Sequence, residues 1–156
     1  MKLRIILVFC MILILSVLTG CQKTWTLQSE GIAAGNCEIV ENRNVVCEKP
    51  FIAGVYTDYE QWKNAVEDTD DDVILKRKDL YDEDFFEESV LICLINVSSG
   101  NAQWEYEGYE IDDDVLYIDV STDTDKLLNE LHAYYVFFVT DKSEAGKINS
   151  AELFFE

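Results

Sequence analysis

Residues 90–97 read VLICLINV, and this stretch is apolar along almost its whole length. A strand with one solvated face alternates apolar and polar residues, whereas a strand covered on both faces is apolar throughout. The stretch therefore predicts a central strand in the middle of a β-sheet. Cys93 lies inside it, and we expect its side chain to pack as a small buried apolar group.

Further strand patterns surround this central stretch. Before it, the alternation at residues 25–31 and the apolar stretch 51–56 each predict one strand. Four patterns follow it, at residues 103–111, 115–120, 133–140 and 148–155. The first two form a predicted hairpin across three aspartates, and the last two are expected to close the sheet around a loop at 143–147.

Helical spacing marks two segments. Apolar residues that include Trp62 predict a helix over about residues 58–67, and Thr57 begins a sequence typical of a capping box. We expect Trp62 to anchor this helix to the sheet. A second helix is predicted over about residues 123–131, and residues 81–88 predict a helical turn. This order of elements predicts an α+β fold, a mostly antiparallel meander with the first helix packed on it.

The N-terminal residues resemble a bacterial lipoprotein signal peptide. Lys2 and Arg4 give a positive start, residues 5–18 form an apolar run, and LTGC at residues 18–21 resembles the lipobox. An ordinary secretory signal or a single spanning helix is the alternative, but the apolar run is short for a span.

The lipobox resemblance implies cleavage between Gly20 and Cys21 and lipidation of the Cys21 sulfur. Residues 1–20 are then removed, and residues 21–156 form a single domain outside the cell. The predicted location is the cell membrane, where a lipid on the first residue of the mature chain holds the domain on the extracytoplasmic face.

Acidic side chains far outnumber basic ones. Residues 1–20 carry two basic residues and no acid, so residues 21–156 hold 10 basic and 31 acidic residues, a net charge of −21. Such a chain repels nucleic acid, and its surface favours cationic partners or divalent cations in a salt-dependent way. The simpler interpretation is that the charge keeps the domain soluble.

Three cysteines remain after Cys10 and Cys21 are assigned to the signal and the lipid site. The sequence CEIVENRNVVC at residues 37–47 alternates on both sides of a polar centre, which predicts a hairpin with Cys37 opposite Cys47. Since export permits disulfides, we predict a bridge between these two residues.

Two acidic stretches offer oxygen ligands for Ca²⁺. Residues 141–152 match several EF-hand positions, but Ala145 stands where an oxygen ligand belongs and the preceding residues are strand-like. The run at 68–72 lacks a glycine that would turn its carboxylates toward one point. We therefore expect loops without a metal site. The candidate ligands, if either stretch binds a cation, are Asp68, Asp70, Asp72, Asp141 and Glu152.

Common catalytic motifs are absent from the sequence. It contains no GxSxG, CxxC or HExxH motif and no glycine-rich phosphate loop. His132 is the single histidine, and we expect it to be structural or exposed. Carboxylates are too abundant for any pair to indicate a glycosidase. We therefore expect no enzymatic activity and no cofactor.

One family resemblance extends over residues 58–156. It rests on YEQW, DFFEESVLICLINVSSGNAQWEYEGYEI, VLYIDV and YYVFFVTDKSEAGKINSAELFF. These segments together resemble small Gram-positive lipoproteins whose body is similar to the C-terminal domain of the protease-complex subunit PrcB. In that family a late strand ends near a lysine comparable to Lys142, and the turn corresponding to SSGN is richer in glycine. The resemblance carries over no catalytic residue and implies an accessory or protein-binding role.

The sequence thus predicts a membrane-anchored, extracytoplasmic binding or accessory module for another envelope protein. A lipoprotein that binds a divalent cation is the alternative, and an uncharacterised hydrolase is the third hypothesis.

Overall fold

A computed structural model describes residues 32–34, 36–43, 47–99, 102–123, 130–145 and 148–155. Within them the chain forms a strand-dominated α+β fold, which confirms the predicted fold class. The predicted signal peptide, Cys21 and the strand predicted at 25–31 lie outside these residues.

The larger sheet has five strands, and all of its neighbouring strands are antiparallel. These strands are β1 (Ile32–Ala34), β2 (Cys37–Asn42), β3 (Gly54–Tyr56), β4 (Ser89–Ser99) and β7 (Leu131–Asp141). Their order is β1-β2-β7-β4-β3. The middle strand is therefore β7, whereas the predicted central stretch lies next to it in β4. The apolar sequences of β4 and β7 indicate that both are interior strands, but they do not show which of the two is the middle strand.

The smaller sheet has three strands in the order β5-β6-β8. They are β5 (Gln103–Asp112), β6 (Val115–Asp123) and β8 (Ser150–Phe155). Strands β5 and β6 form the predicted antiparallel hairpin, but β8 pairs with β6 in parallel. The last two strands therefore belong to different sheets, and the prediction that they close one meander around a loop is wrong.

The connection from β7 to β8 explains this correction. Strands β7 and β8 lie in different sheets, so the chain must pass from one sheet to the other after Asp141. It does so through a short helix, α4 (Lys142–Ala145), and then through Ile148. Ala145 and Ile148 are both buried against the smaller sheet's core, which directs the chain away from β7.

Three further helices lie between β3 and β4: α1 (Tyr59–Glu67), α2 (Asp72–Leu75) and α3 (Glu83–Glu88). Helix α1 confirms the predicted helix at 58–67, and α3 lies within the predicted turn at 81–88. The residue that caps α1 is Asp58 and not Thr57. The Asp58 carboxylate accepts a hydrogen bond from the Gln61 N–H at 2.9 Å, and Gln61 Oε1 accepts one from the Thr57 N–H at 3.2 Å.

The second predicted helix, over about 123–131, is wrong at both of its ends. Asp123 is the last residue of β6, and Leu131 is the first residue of β7. Residues 124–129, which make up most of the predicted helix, lie outside the described residues.

Two apolar cores lie on opposite faces of the larger sheet. Helices α1, α2 and α3 cover the first face, where Trp62 is 1% exposed and packs its ring edge-on against Tyr56 and Tyr81. The smaller sheet covers the second face with Leu116 and Ile118. Because both faces are covered, the larger sheet can be apolar on both sides.

The predicted hairpin over residues 37–47 does not form. Strand β2 pairs with β1 on one side and with β7 on the other, so both of its edges are already occupied beside Cys37. Cys37 lies opposite Phe138, whereas the Cys47 thiol lies beside Asp71. Cys37 and Cys47 are consequently free thiols in the structure, and the predicted disulfide is not present.

Candidate functional site

The outward surface of the smaller sheet is acidic. Along β6, Leu116, Ile118 and Val120 are fully buried, so the residues between them face outward. The registers with β5 and β8 extend this surface on both sides. We call it the acidic face, and its residues are Glu105, Glu107, Glu110, Asp112, Tyr117, Asp119, Ser121, Glu152 and Phe154.

The carboxylates of the acidic face form few ion pairs within the part of the chain that the structure describes. Glu105, Glu110, Asp119 and Glu152 form no ion pair with any described residue. Between Lys78 and Lys142 the sequence contains one basic residue, Lys126, so the β5–β6 hairpin brings no cation of its own. A surface of this kind carries a negative potential that attracts cations over about 8–10 Å at physiological salt.

Two local features build the acidic face from the sequence EYEGYEIDDD. The pairing of β5 with β6 shifts between Tyr106 and Gly108, so Glu107 is an extra residue in a β-bulge. The Ser121 hydroxyl donates a hydrogen bond to Glu107 at 2.6 Å, which holds that carboxylate on the outward surface. The hairpin then turns through Asp113 and Asp114, whose φ angles are 45° and 71°.

The positive φ angles explain why aspartates are found in this turn. A two-residue hairpin turn of type I′ needs both central residues in the left-handed region, and after glycine and asparagine, aspartate tolerates it best. Asp114 is also fixed from outside, because its carbonyl accepts a hydrogen bond from the Asn149 N–H at 2.9 Å. The turn therefore adds two carboxylates to this end of the hairpin, and the bond to Asn149 keeps the turn close to β8.

A depression of about 340 Å³ lies at the other end of this hairpin. Its lining residues are all polar: Gln103, Glu105, Ser121, Thr122 and Asp123. Hydroxyl, amide and carboxylate groups together suit a cationic side chain that can also donate hydrogen bonds.

The candidate Ca²⁺ ligands from the sequence are not brought together. Asp70 accepts backbone hydrogen bonds from the segment before β3, Asp68 caps the C-terminus of α1, and Asp72 begins α2. Asp141 ends β7, whereas Glu152 lies on the acidic face. No group of three or more His, Cys, Asp or Glu residues in the described part of the chain is arranged to hold a metal ion.

Asp71 is a buried structural acid that the sequence interpretation placed in a solvated run. It is 2% exposed and caps α2 by accepting a hydrogen bond from the Val73 N–H at 2.9 Å. The hydroxyl of Tyr135 donates to the same carboxylate, and the Cys47 thiol lies 3.8 Å away. Burial and the Asp71 charge raise the pKa of the Cys47 thiol, so this cysteine is not activated as a nucleophile.

A second buried polar group joins the helices to β2. The Arg77 guanidinium donates to Glu38 at 2.8 Å and 3.4 Å and to the Val73 carbonyl at 3.0 Å. It also lies 4.8 Å from the centre of the Phe137 ring. Since Glu38 is fully buried, this pair is part of the scaffold and not a binding site.

His132 is the residue closest to a catalytic arrangement. Its Nδ1 contacts the Glu41 carboxylate, and Ser98 lies opposite it on β4. No side-chain hydrogen bond joins Ser98 to His132 in the described part of the chain, and Nε2 faces Glu130 at 3.8 Å. His132 is also only 3% exposed. It therefore lies between two carboxylates and does not serve as a base for Ser98 in this structure.

Cys93 is fully buried between β3 and β7, as the sequence predicted. Burial raises the pKa of its thiol far above the ordinary range, which keeps it protonated. Cys93 therefore behaves as an apolar core residue.

The sequence contained one signal of the acidic face that is not part of any metal or catalytic motif. Motifs for metals and catalysis require a fixed spacing of ligands, whereas a binding surface requires only that one side of a sheet carries one kind of charge. The period-two alternation in β5 and β6 sorts acids to one side and apolar residues to the other. Glu152 could not be added to this surface without knowing that β8 pairs with β6.

Comparisons with protein-family models, curated proteins and solved structures found no match to this chain. In the described residues no helix has the length and apolarity needed to span a bilayer. The resemblance to lipoproteins with a PrcB-like body stays a prediction.

Proposed function

We propose that this protein is a lipid-anchored lipoprotein on the outer side of the cell membrane, and that its acidic face binds a cationic surface of another envelope protein. The lipobox at residues 18–21 supports the location. The single observation that supports the binding role is that the carboxylates of the acidic face share one surface and form no ion pair with a described residue.

The energetics of the acidic face support a role in binding. Carboxylates gathered on one surface repel one another, so this arrangement works against folding. A cationic partner relieves the repulsion when it binds. Tyr117 and the half-exposed Phe154 lie among the carboxylates, and aromatic residues of this kind supply apolar contact area at interfaces.

The binding role can be tested with poly-lysine and the acylated protein in a neutral detergent. Binding to the wild type is expected at low salt, and its affinity should fall as salt rises. The triple variant Glu105→Lys, Glu110→Lys, Glu152→Lys should bind about tenfold more weakly or worse, because the local potential is reversed.

A matched control separates the acidic face from the net charge. The variant Glu67→Lys, Glu87→Lys, Glu88→Lys makes the same change in charge at exposed helix positions. It should retain most of the wild-type affinity. Equal losses in the two variants would mean that poly-lysine senses only net charge, and the binding role of the acidic face would be refuted.

The membrane location has a separate test. Cells that are fed a labelled fatty acid should incorporate it into the wild type, and the Cys21→Ser variant should carry none. A Cys21→Ser variant that is labelled as heavily as the wild type would refute the lipid anchor.

A further inference from the structure

Strand β4 is paired along its whole length on only one side. Strand β7 pairs with it from Ser89 to Ser99, whereas β3 pairs only with the three residues from Leu91 to Cys93. No described residue forms a ladder with the β3 side of residues 94–98, which we call the open edge. Backbone N–H and C=O groups along such an edge are available to another extended chain.

The chain itself explains why β3 is short. The ladder with β4 does not continue before Gly54, and the Lys49 carbonyl accepts a hydrogen bond from the Thr69 hydroxyl at 2.7 Å. The Asp70 carboxylate accepts another from the Lys49 N–H at 3.0 Å, and the Ile52 carbonyl accepts from the Tyr56 hydroxyl. Pro50 has no N–H to give to a ladder. The backbone groups of Lys49 and Ile52 that bond elsewhere are thus not paired with the open edge.

The open edge has none of the features that usually protect an edge strand. Proteins block exposed edges with lysine, proline or inward-pointing charges. Here no charged residue or proline occurs between Glu88 and Glu105, although 28% of the chain is charged. Val97 is also 51% exposed on this strand. Because the edge carries no charge, another strand can pair with it without burying a charged side chain.

The side chains of the open edge indicate what an added strand would present. Ile95 packs partly against the core under the helices, and Val97 lies two residues further on the same face. Leu94 packs on the opposite face, against the core between the two sheets. A partner strand with apolar residues at alternate positions would cover Ile95 and Val97.

Charge decides between a second copy of this chain and a different partner. Two copies would each bring a net charge of −21 for residues 21–156, and they would repel one another. A segment with lysine or arginine between its apolar residues would be attracted instead. We propose that the open edge receives an extended segment of this alternating cationic and apolar kind, as a sixth strand beside β4. This inference rests on the proposed function and names the form of the partner.

The test uses two peptides with the acylated protein in neutral detergent. Ac-KVKVKVK-NH2 can form a strand, whereas Ac-KVKPKVK-NH2 has the same charge but a proline that interrupts strand pairing. At fixed salt the first should bind the wild type about tenfold more tightly, a ratio that two net backbone hydrogen bonds supply. A ratio near one would overturn the proposal.

Proline variants of the protein locate the binding. Neighbouring residues of a strand direct their N–H groups to opposite sides, so one of Asn96→Pro and Val97→Pro removes a donor from the open edge and the other from the β7 ladder. The variant with the smaller loss of stability in urea denaturation identifies the open-edge position. In that variant the peptide ratio should fall from about tenfold to about threefold or less, because one of the two hydrogen bonds is lost. An unchanged ratio would overturn the proposal.

Two further outcomes separate this inference from others. Sedimentation should show a wild-type monomer, and a dimer abolished by the open-edge proline would overturn the choice of a different partner. If poly-lysine binding depends on the acidic face but the two peptides bind equally, the proposed function survives and strand addition fails.

Discussion

Strand β7 of the larger sheet and strand β6 of the smaller sheet show how differently the two sheets are built. In β7 every residue from His132 to Phe138 is buried, whereas in β6 only alternate residues are fully buried. The larger sheet lies between helices and a second sheet, while the smaller sheet has one uncovered surface. The larger sheet therefore provides most of the buried core, whereas the outward surface of the smaller sheet can carry charged side chains.

The largest expected effect comes from breaking the buried ion pair of the larger sheet. Arg77→Ala should lower the free energy of unfolding by about 3–5 kcal/mol, because Glu38 is left buried without its partner. Urea denaturation measures this loss. The double variant Arg77→Met, Glu38→Leu should regain most of it, since no charge is then buried. A loss below about 1 kcal/mol in Arg77→Ala would show that Glu38 is not held by this pair.

A smaller loss is expected from the buried acid at the start of α2. Asp71→Ala should reduce the free energy of unfolding by about 1–3 kcal/mol, because the Tyr135 hydroxyl and the Val73 N–H lose their acceptor. Asp72→Ala, at an exposed position on the same helix, is the control and should cost less. If the free energy of unfolding falls equally in both variants, the helix cap and the tyrosine contact do not contribute to stability as described.

Alkaline pH should weaken the larger sheet through Cys37. Burial, and then the charge of Glu38, raise the pKa of the Cys37 thiol to about 12. In the unfolded chain this thiol ionises near its ordinary pKa of about 8.5. Below that pH both states hold the proton, and between there and about 12 only the folded state does, so the free energy of unfolding falls as pH rises.

The measurement is the urea midpoint at several values between pH 8 and pH 11. Cys37→Ala should show a shallower decline than the wild type, although buried tyrosines such as Tyr106 still contribute to it. Identical slopes for the two proteins would contradict the assignment to Cys37.

The smallest effect on stability is expected on the acidic face. Glu110→Lys should change the free energy of unfolding by no more than about 0.5 kcal/mol, because the side chain is exposed and forms no described ion pair. A modest gain is consistent with relief of charge repulsion. A loss comparable to that of Arg77→Ala would mean that the acidic face is part of the scaffold, and the contrast between the sheets would fail.

The sequence predicted the parts of the fold that local patterns determine. Apolar runs located β4 and β7, alternation located β5 and β6, and helical spacing located α1. Long-range pairing was not predictable in the same way. The sequence of residues 37–47 does not indicate that β2 pairs with β1 on one edge and with β7 on the other. Its local alternation therefore led to the wrong prediction of a hairpin.

The same distinction between local patterns and long-range pairing applies to the candidate site. The acids of the β5–β6 hairpin reach one surface through the alternation of a single segment, and this could be read from the sequence. The burial of Asp71 could not, because its partner Tyr135 is 64 residues away, on strand β7. The open edge of β4 depends in turn on how far β3 extends, which hydrogen bonds to Thr69 and Asp70 decide.

Photo-crosslinking in intact cells tests the binding role of the acidic face most directly. A photoreactive phenylalanine analogue is placed at Tyr117, in the middle of the acidic face, or at Glu67, on the exposed side of α1. We predict a crosslinked protein partner from position 117 that disappears when Glu110→Lys and Glu152→Lys are added, and none from position 67. Equal crosslinking at both positions, or crosslinking at 117 that survives the two charge reversals, would contradict the assignment of binding to the acidic face.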